Sequence, residues 1–447
     1  MEFTPWVLLQ DAGIISMLIL VGQFLRAKVK LVQKLLLPAP LIAGLLGLVL
    51  GPNVLGILPL SNKLGTYASV LIVLVFAAMP IGQKTSKDSI ANRNVGGMFF
   101  SVTGMILLQY GFFILLALYV LVPLFDVHPG FGVMLPTGFC HGHGTASAIG
   151  STFAKLGWED AQDLGMTSAT FGIVGGILFG IAIINFGARK GLTNYVKDPK
   201  NLSSDLRTGL IPKEEQKAGG KITISGICLD SLTFHLALIL IASAGGYVTC
   251  VLAEKAIPNI GLPEFCIAMI YGFIIQIILT KTKTDVYVDR PTINRISGAS
   301  TDLLVVCGVA SVKISAIMTY FVPLMIMFSL AYILVIAWVF IVGPRCSDHD
   351  WLERAMIAFG QSTGVLATGI LLLRVVDPDL KSKGLEDSGT TNLLNRPIII
   401  ALQALVPYFV AQSGMTPYLT GWICIGAFLL LLIIAIKFKW LHSPVKN

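Results

Sequence analysis

The chain has 447 residues, 55% of them hydrophobic and only 13% charged, with a mean hydropathy of +0.81 and a formal net charge of +8. So few charges cannot cover the surface of a soluble protein of this size, which excludes a water-soluble enzyme or binding module. The basic balance needs no nucleic-acid partner, because the basic residues gather in loops between apolar runs.

In chain order the apolar runs are Val7–Leu25, Leu64–Ile81, Val95–Phe125, Phe171–Phe186, Leu232–Leu252, Cys266–Leu279, Ile317–Val342 and Leu419–Ile436. Each approaches or exceeds the roughly 20 residues that cross a bilayer. Internal Gly and Pro do not disqualify them, because neighbouring membrane helices satisfy the freed backbone. The first run is not expected to be a secretory signal: Met1–Pro5 carries no positive charge, and no small-residue cleavage site follows Leu25. Arg26, Lys28, Lys30 and Lys34 follow it instead, which predicts an N-terminus outside the cell. Alternating from there, Lys84, Lys87 and Arg93, then Arg189 through Lys221, then Lys281, Lys283, Arg290 and Arg295, then Arg345 and Arg354 all fall in inner loops, while Lys63 and Lys255 stand alone outside. The seven Cys are scattered without a C-x-x-C pair, as small apolar residues would be.

The hydrophilic stretch near the middle reads as a cytoplasmic connector, residues 187–222, between an N-terminal repeat, 1–186, and a C-terminal repeat, 223–414. Leu37-Pro38-x-x-x-Ile42-Ala43-x-x-x-Gly47 recurs as Leu262-Pro263-x-x-x-Ile267-Ala268-x-x-x-Gly272, and Gly142-x-Gly144-Thr145-Ala146 is similar to Gly360-x-Ser362-Thr363-Gly364. With about five spanning helices per repeat, the second enters the membrane the other way round, as in secondary transporters. Residues 415–447 add an eleventh helix and a tail, for which a scaffold or dimer role is expected. The fold class is therefore an all-α integral membrane protein with two inverted repeats.

Each repeat carries one stretch too broken to span. Residues 130–157 hold Leu135-Pro136-Thr137-Gly138-Phe139-Cys140-His141-Gly142-His143-Gly144-Thr145-Ala146-Ser147, and residues 355–376 hold Gly360-Gln361-Ser362-Thr363-Gly364. Both read as re-entrant hairpins, whose irregular backbone survives at membrane depth only against protein or a watery cavity. A helix that starts at such a tip aims unpaired N–H groups at an anion. The substrate set is thus Gly142, His143, Gly144, Thr145, Ala146, Ser147, Gln361, Ser362, Thr363 and Gly364, and the cation set is Thr137, Thr170, Thr363 and Asp302. Asp302 is weighed evenly between site and interface, and Arg374 between substrate carboxylate and anchor. Cys140, His141 and His143 lack a third ligand at regular spacing, so no metal site is expected. With neither H-E-x-x-H nor G-x-S-x-G on an apolar helix, no catalytic residue is assigned.

At these motifs the chain resembles the bacterial sodium/glutamate symporter family. Gly142-His143-Gly144-Thr145, the downstream Ala169-Thr170-Phe171-Gly172-Ile173-Val174, the Leu37-Pro38-Ala39-Pro40 helix entry and the central hydrophilic loop carry the resemblance, from about the first helix to about residue 412. It implies a homodimer in the inner membrane, with mobile core domains moving glutamate and Na+ past scaffold helices in an elevator-like motion and no organic cofactor. In the second hairpin Gly364-Val365-Leu366-Ala367-Thr368-Gly369 lacks the Pro of the family's Gly-Ala-Thr-Pro element. A carrier of another carboxylate or amino acid, with proton coupling, is therefore the alternative; an intramembrane enzyme or a channel fits least.

Overall fold

A computed structural model describes residues 4–83, 93–195, 207–216, 218–256, 262, 264–347, 350–377, 381–412 and 414–441. Lys84, Lys87, Pro263 and part of the connector and of the C-terminal tail lie outside the described residues. All regular structure among the described residues is helical. Seven helices there are long and apolar enough to cross a bilayer, and an eighth span is added if the bent helix over residues 384–410 counts as one.

Ahead of the connector come α1 (Pro5–Lys28), α2 (Ala39–Leu50), α3 (Leu64–Ala78), the long α4 (Arg93–Phe125), α5 (Phe131–Lys155) and α6 (Ala161–Arg189). After it come α7 (Ser231–Ala256), α8 (Glu264–Thr282), α9 (Arg290–Ser311), α10 (Phe321–Ile341), α11 (Trp351–Thr363), α12 (Leu366–Val376), α13 (Gly384–Val410) and α14 (Thr416–Lys437). The run Leu64–Ile81 is helical only to Ala78, because Pro80 and Gly82, with φ of 71°, turn the chain. Six of the seven Cys are buried, and Cys228 is exposed.

The stretch 130–157 forms α5, a helix broken at Gly142, where φ is 72° and ψ is −170°. Only glycine adopts that conformation without strain. His128, just before α5, stacks on Trp158, just after it, at 4.3 Å between ring centroids, so the chain reverses at Gly142. α11 and α12 reverse in the same way across Gly364 and Val365. Their arms cross where Gly360 meets Gly369, so closely that a Cβ on Gly360 would lie 2.6 Å from the Gly369 backbone.

The helices pack in two groups, and each draws on both sides of the connector. α1, α2 and α3 pack with α7, α8 and α9, and small buried side chains such as Ala77, Ala242 and Ala268 let these backbones approach. α4, α5 and α6 pack with α10 to α14. α3 and α9 lie against α5 and join the groups.

Two residues expected only to mark loop charge, Arg290 and Arg354, prove to fasten helix ends. Arg290 donates to the carbonyls of Ala78, at 2.9 Å, and Ile81, at 2.5 Å, a cation at the negative end of α3. Arg354 is buried and ion-paired with Asp387, which ties α11 to α13. Within α1, Asp11 is fully buried and accepts from the Ser61 N–H at 3.0 Å, the Ser61 hydroxyl at 2.5 Å and the Tyr67 hydroxyl at 2.8 Å, pinning α1 to the start of α3.

Two outcomes follow from this packing. Asp11→Ala strands the Ser61 and Tyr67 donors, so thermal unfolding in detergent should register a loss of about 1–3 kcal/mol. Gly142→Ala forces a side chain onto a glycine-only backbone and should cost about 1–3 kcal/mol, with a matching fall in melting temperature and in solute uptake. An unchanged melt and uptake for Gly142→Ala would mean that the break is not strained.

Candidate functional site

The two chain reversals touch. A Cβ on Gly142 would lie 2.5 Å from Cγ1 of Val365, so the tip of α5 sits against the tip between α11 and α12. Two helices begin at this junction, the second arm of α5 from His143 and α12 from Leu366, and both present unpaired N–H groups there.

Around the tips, polar side chains are held by partners from other helices. Gln109 of α4 is fully buried and donates through Nε2 to the Ser362 carbonyl at 3.0 Å, while its Oε1 accepts from Cys140 Sγ at 3.2 Å. This amide spans both tips and satisfies a carbonyl near the break in the second hairpin. Gln361 donates to Oδ1 of Asn392 on α13 at 2.8 Å. Thr145 accepts from Nε2 of Gln403, also on α13, at 3.4 Å. Ser147 accepts from Nε2 of Gln162 at 3.3 Å, and the same nitrogen reaches the Gly65 carbonyl of α3.

The motif on α6 acquires a physical meaning residue by residue. A Cβ on Gly138 would lie 2.4 Å from the Ala169 nitrogen, so α5 and α6 approach closely at Ala169. Thr170 donates to the Met166 carbonyl at 3.0 Å, and its oxygen is 3.0 Å from His143 Nε2. With the hydroxyl proton already committed, the imidazole is the donor, and Nδ1 is left as a buried acceptor without a partner among the described residues. Phe171 stacks on Phe328 of α10 at 4.8 Å. Gly172 admits the Thr363 carbonyl, which would lie 2.5 Å from a Cβ there, and Gly176 admits the Thr363 hydroxyl at 2.3 Å.

Of the residues singled out in the sequence, Gly142, His143, Thr145, Gln361, Ser362, Thr363 and Gly364 come together at the two tips. Gly144 faces Ile72 and Leu304, Ala146 packs on Gly165, and Ser147 belongs to the network with Gln162 one turn further on. In the cation set, Thr170 is drawn to His143, and Thr363 to the glycines of α6. Thr137 is buried one turn before the break and donates to the Met134 carbonyl at 3.0 Å. Asp302 is on an exposed face of α9, and among the described residues no hydrogen bond joins it to the hydroxyls. Arg374 lies two turns into α12, away from the tip.

Sequence reading missed Gln109 and the polar face of α13. Ser388, Thr391, Asn392, Asn395, Arg396 and Gln403 recur at spacings of three, four and seven to eight, a polar stripe along one side of an otherwise apolar helix. Its signal was present, but short apolar stretches between these residues hid the helical period. α13 bends by 48° near Leu394, where Pro397 cannot donate to the carbonyl four residues before it.

The model of the sodium/glutamate symporters matches residues 8–369, from α1 into α12, so α13 and α14 lie beyond the match. No curated protein matches the chain. Matched over most of its length, the chain belongs to the sodium/glutamate symporter family and is a membrane transporter, not an enzyme.

Proposed function

We propose that the protein carries glutamate together with sodium, at the junction of the two tips. The observation that carries this reading is the contact of Gly142 with Val365: two helix starts from separate parts of the chain face one place, ringed by buried hydroxyls and amides. N–H groups and the positive ends of helix dipoles suit a carboxylate. Carbonyls freed at the breaks, with the oxygens of Thr170 and Thr363, suit a small hard cation. Each then stabilises the other electrostatically, which couples the two solutes.

The motion we propose is an elevator. The group α4–α6 with α10–α14 holds both tips and moves as a unit; the group α1–α3 with α7–α9 stays as the scaffold. Support comes from the repeated element order: three helices, a long helix, a hairpin and a helix, first as α1–α6 and again as α7–α13. The loop charges also support it, since the positive-inside rule puts the ends of the two hairpins on opposite sides of the membrane, as expected for an inverted repeat. The reading includes an inner-membrane location, an outside N-terminus and a homodimer.

Purified protein in liposomes decides it. Labelled glutamate should accumulate under an imposed sodium gradient and fail to do so under a proton gradient alone. Thr145→Ala should cut the uptake rate by about tenfold or more, with the melting temperature little changed. Accumulation driven by protons without sodium would replace the coupling ion, and no accumulation by folded protein would reject glutamate.

A further inference from the structure

α13 lies beyond the residues that the family match covers, yet it touches both tips, through Asn392 to Gln361 and through Gln403 to Thr145. At 3.6 residues per turn, Asn395 and Arg396 fall on the same face between those two contacts. Asn395 is fully buried, and neither its Oδ1 nor its Nδ2 has a hydrogen-bond partner among the described residues. Thr391, one turn before it, is equally buried with an unpartnered hydroxyl. Arg396 makes a single hydrogen bond among the described residues, to the thioether sulfur of Met79 at 2.9 Å, and forms no ion pair there. Arg290 and His141 both lie close enough to feel its charge, and neither is an anion.

A guanidinium within a membrane protein is costly unless an anion meets it. A sulfur atom is a weak acceptor and leaves most of its five donors idle. A buried amide with both groups free carries a comparable penalty. A thioether beside the cation and an idle amide next to it are what remains when the partner comes and goes.

We propose that Asn395 and Arg396 form the subsite that reads the substrate side chain and ammonium. Arg396 takes the side-chain carboxylate through its planar fork, and Asn395 Oδ1 accepts from the ammonium. The helix starts at the tips are left to the other carboxylate. This assignment rests on glutamate being the solute, and it places the choice between glutamate and its amide on α13 rather than on the hairpins.

The test is ligand-dependent thermal stabilisation of purified protein in sodium, with glutamate, glutamine and succinate as probes. In the wild type glutamate should stabilise far better than glutamine. Arg396→Gln should weaken glutamate by about ten- to a hundredfold and bring glutamate and glutamine to equal affinity. Asn395→Leu should weaken glutamate while sparing succinate, which has no ammonium. A folded Arg396→Gln that keeps the wild-type preference overturns the proposal. Should that variant fail to fold, Arg396→Met is read the same way, since it keeps an apolar stem and removes both the charge and the fork. A wild type stabilised by succinate and not by glutamate would reject glutamate alone, and loss of succinate binding in Arg396→Gln would still uphold the carboxylate role. If neither probe stabilises the wild type, both readings fall.

Discussion

Hydrocarbon offers no hydrogen bonds, so a helix interrupted inside a membrane must have its freed amides and carbonyls answered by protein. The arrangement of this molecule around Gly142 and Val365 follows from that constraint. Each break covers the other, and Gln109 of α4 satisfies the Ser362 carbonyl beside the second one. Close approach of the backbones then needs small residues on α6, which Gly172 and Gly176 supply against Thr363. A pair of breaks that shield each other can keep unsatisfied N–H groups for a visiting anion, which neither break could do while facing lipid.

The same sharing runs through the rest of the fold. Neither packing group is made from one side of the connector; helices 1 to 3 need helices 7 to 9, and the tips need one another. Fastenings such as Arg290 on the end of α3 and Arg354 on Asp387 bind elements that are distant in sequence. The charges that set topology therefore also hold structure, because a cation near a helix C-terminus is favourable on either count.

Much of this was legible in the residues. Long apolar runs gave the membrane helices, since only a continuous run can cross. The Gly and Pro breaks at Pro136 to Gly144 gave the first tip, because such a cluster has no other stable place at that depth. What sequence could not show was which hydroxyl meets which partner. Thr137 and Thr170 are the same residue type on neighbouring helices, but only Thr170 is brought to His143. Asp302 drew attention as a carboxylate in an apolar run, and it faces outward because the apolar side of α9 is turned to α2 and α3. The stripe on α13 stayed hidden because its polar residues are separated by leucines and isoleucines, and a tally of hydropathy averages the two faces together.

Interleaving has a consequence for how the protein is made. A ribosome that has reached the connector has inserted α1 to α6, yet Gln109, Thr145 and Gly142 still await Ser362, Gln403 and Val365, which are synthesised far later. The first half must wait in the bilayer as an unfinished surface, and its buried polar groups are sealed only when α13 arrives. The connector, by contrast, has no part in those contacts. The order of synthesis is thus imposed by the translation of one chain, while the contacts that close the tips are made between helices from both sides of the connector.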